Sequence, residues 1–247
     1  MPVPELFAMW RNTRMVVLTA ITAALYAAAL LAFKFLSILP GVTEIRPGVA
    51  FVLLCSLLFG PAGAWGAAIG NTIGDFFGGL GVGTLVGFLG NLALGMVPYK
   101  LWRGLGLGEP DPERRFGVLK IAFVSVAASG ACAFIVGAAI AYIGAPFRFL
   151  ANTILITNSI VCVALGPFLL KAIYPRVKAQ GLRYQDILGE PARPRGRGKR
   201  LAAALVALAV AGGIAAGNAA EAGLLPVGVA AAVLPAAILL VIALAWL

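Results

Sequence analysis

The stretch FGPAGAWGAAIGNTIGDFFGG, residues 59–79, repeats glycine at every fourth position and places one carboxylate within the repeat. Small residues at this spacing form a flat stripe on a helix, and such a stripe lets the backbone of a neighbouring membrane helix approach closely. The stretch therefore predicts a tightly packed transmembrane helix. The repeated glycines are Gly66, Gly70, Gly74 and Gly78, and the carboxylate is Asp75.

The composition places the whole chain in the membrane class. Of its 247 residues, 62% are hydrophobic and 11% are charged, whereas a soluble domain has about 25% charged residues. The chain has no histidine, which removes the commonest metal ligand and the commonest general base. Its cysteines, Cys55, Cys132 and Cys162, lie in apolar runs without metal or disulfide spacing. We therefore expect no cofactor, no metal site and no catalytic site.

The apolar runs predict an all-α integral membrane protein with a six-helix bundle and two additional C-terminal helices. The six-helix domain is residues 1–178, a basic linker rich in proline and glycine is 179–200, and the two-helix extension is 201–247. We expect the linker to be disordered or to lie on the membrane surface. The predicted helices are 15–39, 49–59, 62–77, 84–101, 117–143 and 147–173, followed by 201–217 and 224–247.

Charge placement predicts the orientation in the cell membrane. With a cytoplasmic N-terminus, all of the 19 basic residues except Lys34, Arg46 and Arg148 fall on the cytoplasmic side. This requires segments 49–59 and 62–77 to be separate passes joined at the Gly60-Pro61 corner. The net charge of +10 then reflects topology and contact with anionic lipid. It does not indicate nucleic-acid binding, because the basic residues are not interleaved with stacking aromatics.

Arg11 and Arg14 precede the first apolar run, an arrangement that a signal peptide would also show. The run is long enough to span the membrane, and further spans follow it. We therefore favour a retained first helix.

Hydrogen-bonding side chains crowd the predicted outer ends of the helices, whereas the inner halves are almost purely apolar. A charged residue within a span is costly and usually faces a cavity or a partner. The pattern predicts a water-accessible pocket open to the outside, and the alternative is a rim whose residues bond one another or lipid head groups. The candidate substrate-binding residues are Glu44, Arg46, Asn71, Asp75, Asn91, Arg148, Asn152 and Asn158.

The stretch 59–79 resembles the substrate-binding S components of energy-coupling-factor (ECF) vitamin transporters. In that family a Gly-Pro corner, spaced glycines and an acidic residue join the second and third of six helices. The alanine-rich first helix, TAITAALYAAALL, resembles the family's Ala-x-x-x-Ala helix, with the motif at Ala20 and Ala24 or at Ala24 and Ala28. The resemblance covers about residues 11–178.

The resemblance implies that the chain binds a vitamin or related micronutrient from outside. It also implies docking of the alanine face on a transmembrane coupling subunit with two ATPases, which drive reorientation in the bilayer. The chain itself has no G-x-x-x-x-G-K-[ST] phosphate loop. The last two helices depart from the six-helix unit, and the substrate stays open among riboflavin-like, queuosine-precursor-like and other vitamins.

A self-contained secondary transporter or channel is the alternative function. The two extra helices and the intramembrane Asp75 favour it, whereas the apolar inner halves and the lack of a clear inverted repeat disfavour it. A membrane enzyme is the least favoured class, because no ligand cluster or paired acidic residues lie in a cytoplasmic helix end.

Overall fold

The computed structural model describes residues 5–34, 37–39, 43–144, 146–189 and 197–247, and for 37–39, 43–44 and 197 it describes the backbone alone. Within these residues the fold is all-α apart from one short hairpin, which confirms the predicted class. The elements are α1 Glu5–Ala8, a 3-10 turn Met9–Arg11, α2 Thr13–Ala32, β1 Ser37–Leu39, β2 Thr43–Glu44, α3 Val49–Phe59, α4 Pro61–Phe76, α5 Val82–Gly104, α6 Gly117–Ala141, α7 Phe147–Ala179, α8 Tyr184–Leu188, α9 Arg197–Glu221 and α10 Val229–Trp246.

Six of the described helices are long and apolar enough to cross a membrane, namely α2, α5, α6, α7, α9 and α10. The remaining two helices of the bundle, α3 with 11 residues and α4 with 16, are shorter. At 1.5 Å per residue, α3 is only about 16 Å long, roughly half of the hydrocarbon thickness. The chain is therefore a multi-pass membrane protein. Its two shorter helices, α3 and α4, follow each other along the chain and are joined at a sharp bend.

The first transmembrane helix is shorter than its apolar run predicts. The side chain of Asn12 caps its start by accepting from the backbone N–H groups of Arg14 and Met15 at 3.0 and 3.3 Å. The expected end at residue 39 is wrong, because α2 ends at Ala32 and residues 37–39 form β1. Pro40 follows this strand, and a residue before proline is disfavoured in a helix. β1 pairs with β2 in antiparallel register, Ser37 opposite Glu44 and Leu39 opposite Thr43.

The chain reverses direction between α3 and α4. Gly60 has φ +54°, a backbone conformation that favours glycine, and Pro61 opens α4. A Cβ atom on Gly63 would lie 2.5 Å from the carbonyl oxygen of Cys55, so α4 folds back directly against α3. In one continuous helix these residues would be about 12 Å apart. The two segments therefore run in opposite directions, a reversal that the charge argument requires.

The glycine repeat packs against α2, as the sequence predicts. Three of the glycines lie so close to α2 that an added Cβ atom would come within 3 Å of it. The Cβ would lie 2.4 Å from Thr22 Cβ at Gly66, 2.8 Å from the Ala23 carbonyl oxygen at Gly70, and 2.9 Å from Leu30 Cδ1 at Gly74. Since the residue numbers of the α4 glycines and of their contacts on α2 increase together, α2 and α4 run parallel. The fourth glycine, Gly78, follows the end of α4 and faces the Lys34 ammonium instead.

The C-terminal hairpin packs on the six-helix bundle through α6 and α7. Gly213 and Gly217 of α9 lie against the rings of Phe134 and Phe147, where a Cβ atom would come within 2.4 and 2.3 Å. At the opposite end, Lys100 of α5 donates to the Leu244 carbonyl of α10 at 2.7 Å. Lys199 of α9 donates to the last two carbonyls of the chain, those of Trp246 and Leu247, at 2.5 and 3.1 Å. The hairpin is therefore held at both ends.

Part of the predicted linker is ordered. α8 begins after Arg183, which pairs with Asp186 at 2.7 Å, and Tyr184 is buried against the Gly60 corner and the Tyr99 ring. Of the two expected alternatives, disorder does not hold for α8, because the buried Tyr184 side chain orders this part of the segment against the bundle. Residues 190–196 of the predicted linker lie outside the described part of the chain.

The loop between α5 and α6 is tied to α7 at the same end of the bundle. Glu109 pairs with Lys178 at 2.5 Å and with Arg114 at 2.7 Å. The hydrogen bond from Lys178 holds the pKa of Glu109 below its usual value. This end of the molecule therefore has ion-paired, charged loops.

Candidate substrate-binding site

Five polar side chains from three helices and the segment before α3 meet at the end of the bundle opposite Glu109. We call them the polar cluster. Three of its members were expected from their depth in the helices, and Arg46 was expected from the outer loop. The cluster consists of Tyr26 on α2, Arg46 before α3, Asn71 and Asp75 on α4, and Asn91 on α5.

The first half of the polar cluster joins Arg46 to α4. The Arg46 Nη1 donates to Asn71 Oδ1 at 3.1 Å, and Asn71 Nδ2 donates to Asp75 Oδ2 at 2.8 Å. Asn71 is 1% exposed, whereas Asp75 is half-buried. Asp75 Oδ1 makes no hydrogen bond within the described residues, so it can still accept from a ligand. The cationic groups of Arg46 and Lys34 both lie close enough to act on the Asp75 charge.

The second half of the polar cluster joins α2 to α5 and is more deeply buried. The Tyr26 hydroxyl donates to Asn91 Oδ1 at 2.8 Å, and Asn91 Nδ2 donates to the Gly87 carbonyl at 2.8 Å. Tyr26 is fully buried and Asn91 is 2% exposed. The Arg46 guanidinium lies within hydrogen-bonding reach of the Tyr26 hydroxyl, so it links the two halves.

A close approach of α4 and α5 positions the two asparagines. A Cβ atom on Gly87 would lie 2.7 Å from Asn71 Nδ2, so any larger residue there would push Asn71 away. Gly95, two turns further along α5, meets the backbone of Ala64 in the same way, at 2.6 Å. The glycines at which α4 and α5 pack closely thus also shape the site.

The largest fully buried side chains on the far side of the polar cluster are mainly apolar, among them Leu53, Leu58, Leu101, Ile121 and Leu170. Two buried serines there are satisfied within the protein: Ser125 donates to the Ile121 carbonyl, and Ser56 donates to the Gly95 carbonyl. The arrangement can bind a polar ligand at one end of the bundle.

Two of the predicted site residues lie elsewhere. Asn152 on α7 exchanges two hydrogen bonds of 3.1 Å with Asn218 on α9, and the backbone N–H of Arg148 donates to the Glu221 carboxylate. Arg148, Asn152 and Glu221 line an open groove of about 590 Å³ at this contact of α7 and α9. The structure therefore separates Arg148 and Asn152 from the polar cluster.

The remaining predicted residues have distinct positions. Asn158 on α7 is 5% exposed and makes no side-chain hydrogen bond within the described residues. Glu44 lies on β2, and its side chain is outside the described part of the chain. The predicted partner-interface residues Ala20, Ala24 and Ala28 are all exposed on one face of α2.

Sequence reasoning missed Tyr26. The sequence did contain a signal for this residue. Tyr26 is the single tyrosine of the first helix, and a phenolic hydroxyl within a membrane needs a hydrogen-bond partner. The two buried threonines of the same helix, Thr19 and Thr22, donate to carbonyls one turn back and need no partner from another helix. Tyrosine cannot reach its own helix backbone in this way, so its partner must come from elsewhere.

The fold defines a multi-pass membrane protein, and the buried polar cluster is its candidate site for a small polar molecule. Within the described residues there is no group of three or more cysteine, aspartate or glutamate side chains that could hold a metal ion. The sequence matches the model of the QueT transporter family over residues 16–175, well over half of the chain.

The chain therefore belongs to the QueT transporter family, whose members are S components of ECF transporters. This confirms the resemblance drawn from residues 59–79. S components of this kind bind small-molecule substrates and work with energy-coupling modules. No curated protein and no solved structure matches the chain. The matched region ends within α7, so α8 and the α9–α10 hairpin lie beyond it.

Proposed function

We propose that this protein binds a queuosine precursor at the polar cluster from outside the cell, and that partner ATPases drive its delivery by reorientation of the whole S component. The observation that carries the proposal is the buried Arg46–Asn71–Asp75 network beside the Tyr26–Asn91 pair, in a chain of the QueT transporter family.

The chemistry of the polar cluster suits a guanine-like ring, which is what a precursor of a modified guanosine provides. Guanine presents the O6 acceptor and the N2 amine donor. The Arg46 guanidinium has donors only, an ionised Asp75 carboxylate has acceptors only, and the asparagine amides have both. The cluster can therefore match both kinds of group on the ring. Arg46 and Asp75 also balance each other's charge, which suits a ligand without a large net charge.

The exposed face of α2 supports docking of a transmembrane coupling subunit that carries two ATPases. Ala20, Ala24 and Ala28 form a stripe of small side chains, which lets a partner helix approach closely. The α9–α10 hairpin packs on α6 and α7 and leaves this stripe exposed. The docking surface is thus free although the chain has two helices more than the six-helix unit.

The orientation proposed is an N-terminus in the cytoplasm, with the polar cluster at the outer end. Arg103 pairs with Glu5 at the N-terminal end of the bundle, and the charged Glu109 loop lies at the same end. The turns at the other end carry exposed apolar side chains, such as Phe76, Phe77 and Ile143. An apolar outer rim supports a movement that brings this end into the lipid.

The binding test is calorimetry of the purified full chain with a queuosine precursor base. Asp75→Asn removes the charged acceptor, and Asn91→Leu removes the amide that Tyr26 holds. Each should weaken binding at least tenfold, or about 1.4 kcal/mol. Glu221→Gln, an acid in the α7–α9 groove, is the matched control and should bind as the wild type does. Unchanged affinity in both cluster variants would remove the site assignment.

The transport test uses vesicles that contain the protein with or without its coupling module. Uptake should require the module and ATP and should persist when an uncoupler dissipates the proton gradient. Uptake by the chain alone that an uncoupler abolishes would favour the secondary transporter instead.

A further inference from the structure

The open groove at the contact of α7 and α9 is separate from the polar cluster and includes a residue of the C-terminal hairpin. Glu221, the last residue of α9, lines it together with the first turns of α7. The groove therefore depends on the packing of the hairpin against the six-helix bundle. Because α9 lies beyond the family match, this surface is not a feature of the matched region alone.

Two opposite charges line the groove and are left without a charged partner. The backbone N–H of Arg148 donates to Glu221 Oε2, but the exposed Arg148 guanidinium makes no hydrogen bond or ion pair within the described residues. Glu221 Oε1 likewise accepts no hydrogen bond from the described part of the chain. The groove thus offers one cationic donor and one anionic acceptor to a ligand. Both lie at helix ends, the depth at which lipid head groups meet a transmembrane helix.

An apolar stripe continues from the groove along α7. Phe149, Thr153, Ile156 and Ile160 are spaced by four, three and four residues, so they share one face of the helix. Phe149 is 42% exposed, Ile156 55% and Ile160 62%. The stripe is about 17 Å long at 1.5 Å per residue, close to the thickness of one leaflet, about 15 Å of hydrocarbon. A ligand with a charged head and a long apolar chain fits this combination.

We propose that the groove binds a phospholipid whose zwitterionic head group carries a primary amine. The Arg148 guanidinium pairs with the phosphate, for which its planar fork of N–H donors is suited. The Glu221 carboxylate accepts from the ammonium group, and one acyl chain lies along the stripe on α7. A head group without net charge matches one arginine and one glutamate, whereas an anionic head group would meet the Glu221 charge.

The alternative is that Arg148 only extends to the membrane surface, as long basic side chains near helix ends do without a specific ligand. That alternative predicts no discrimination between head groups at Glu221. A trimethylated amine has no N–H to donate, so lipids that differ only in amine methylation separate the two cases.

The test is native mass spectrometry of the purified full chain with phosphatidylethanolamine, phosphatidylcholine or phosphatidylglycerol of identical acyl chains. The wild type should retain about fivefold more phosphatidylethanolamine than either other lipid. Equal retention of phosphatidylethanolamine and phosphatidylcholine would overturn the site. Glycerophosphoethanolamine, the head group without acyl chains, should not be retained, and its retention at the level of the intact lipid would assign the groove to a free zwitterion instead.

Variants of the two charged residues locate the preference. Glu221→Gln keeps an oxygen that can accept the Arg148 N–H but removes the charge, so it should lower retention of phosphatidylethanolamine to that of phosphatidylcholine. Arg148→Gln should lower retention of both lipids. Arg176→Gln is the matched control, because Arg176 lies on the same helix at its opposite end and bonds to the Ala172 carbonyl.

The control variant should keep the lipid preference of the wild type. A wild-type preference in both groove variants, or its loss in Arg176→Gln as well, would overturn the assignment. Thermal unfolding in detergent gives a second measurement, since a ligand that binds only the folded chain raises the unfolding temperature. Phosphatidylethanolamine should raise it more than phosphatidylcholine does in the wild type but not in Glu221→Gln, and equal shifts in the wild type would contradict the site.

Discussion

Two buried tyrosines show how much depends on a single hydrogen bond. The Tyr26 hydroxyl donates to Asn91, whereas the Tyr99 hydroxyl is buried without a partner. Both rings are almost completely buried, at 0% and 1% exposure. The difference between them is therefore the bond and not the packing.

We expect Tyr26→Phe to destabilise the protein by about 1 kcal/mol, because it leaves Asn91 Oδ1 unpaired in an apolar bundle. Tyr99→Phe should be neutral or slightly stabilising, because it deletes a hydroxyl that bonds to nothing. Thermal unfolding of the two variants in the same detergent measures the difference. Equal loss of stability would mean that the Tyr26–Asn91 bond contributes nothing beyond ring packing.

At the scale of elements, the C-terminal hairpin joins the bundle through one polar pair in an otherwise apolar contact. Asn152 and Asn218 exchange two hydrogen bonds between α7 and α9, with glycine-to-phenylalanine contacts on the inner side. In a membrane there is no hydrophobic drive for helices to associate, so packing and such pairs hold them together. The hairpin is thus an integral part of the fold, although it lies beyond the family match.

A double-mutant cycle tests this pair. Asn152→Leu or Asn218→Leu alone should destabilise by about 1 kcal/mol, since each leaves one amide unpaired. The double variant should cost less than the sum of the single changes, because two leucines need no partner. Unfolding in detergent gives the three values. Strict additivity would show that the two amides do not interact.

At the scale of the molecule, the two ends of the bundle differ in chemistry. One end has the ion-paired loop around Glu109 and the C-terminal carbonyls held by Lys199. The other end has the polar cluster and apolar turns. Basic loops remain in the cytoplasm during insertion, and the proposed orientation places the charged end inside for this reason.

Cysteine labelling tests the orientation. Leu80→Cys lies in the exposed α4–α5 turn, and Arg115→Cys lies in the exposed α5–α6 loop. A membrane-impermeant maleimide should label the first variant in intact cells and the second only after permeabilisation. The three native cysteines are buried and provide the background measurement in the unmodified chain. The reverse pattern, or labelling of both variants from outside, would contradict the proposed topology.

Local signals in the sequence were enough for the all-α class, the reversal at Gly60-Pro61 and the packing of the glycine repeat. Each depends on residues close together in the chain. The end of the first helix was missed because the apolar run continues into β1, and apolarity alone does not distinguish a helix end from a strand. α8 was missed because its stability comes from Tyr184 contacting Gly60 and Tyr99, which are distant in sequence.

What the sequence by itself determined was the membrane class, the family resemblance and the depth of the polar residues, because hydropathy and spacing are carried along the chain. Which polar residues share a site was decided only by the tertiary structure. Asn71 and Asn152 both lie toward the end of the bundle opposite Glu109, but Asn71 faces Arg46 and Asn152 faces Asn218. The rotation of each helix about its axis decides this. That rotation is set by contacts between distant segments, such as Gly87 against Asn71 and Gly217 against Phe147.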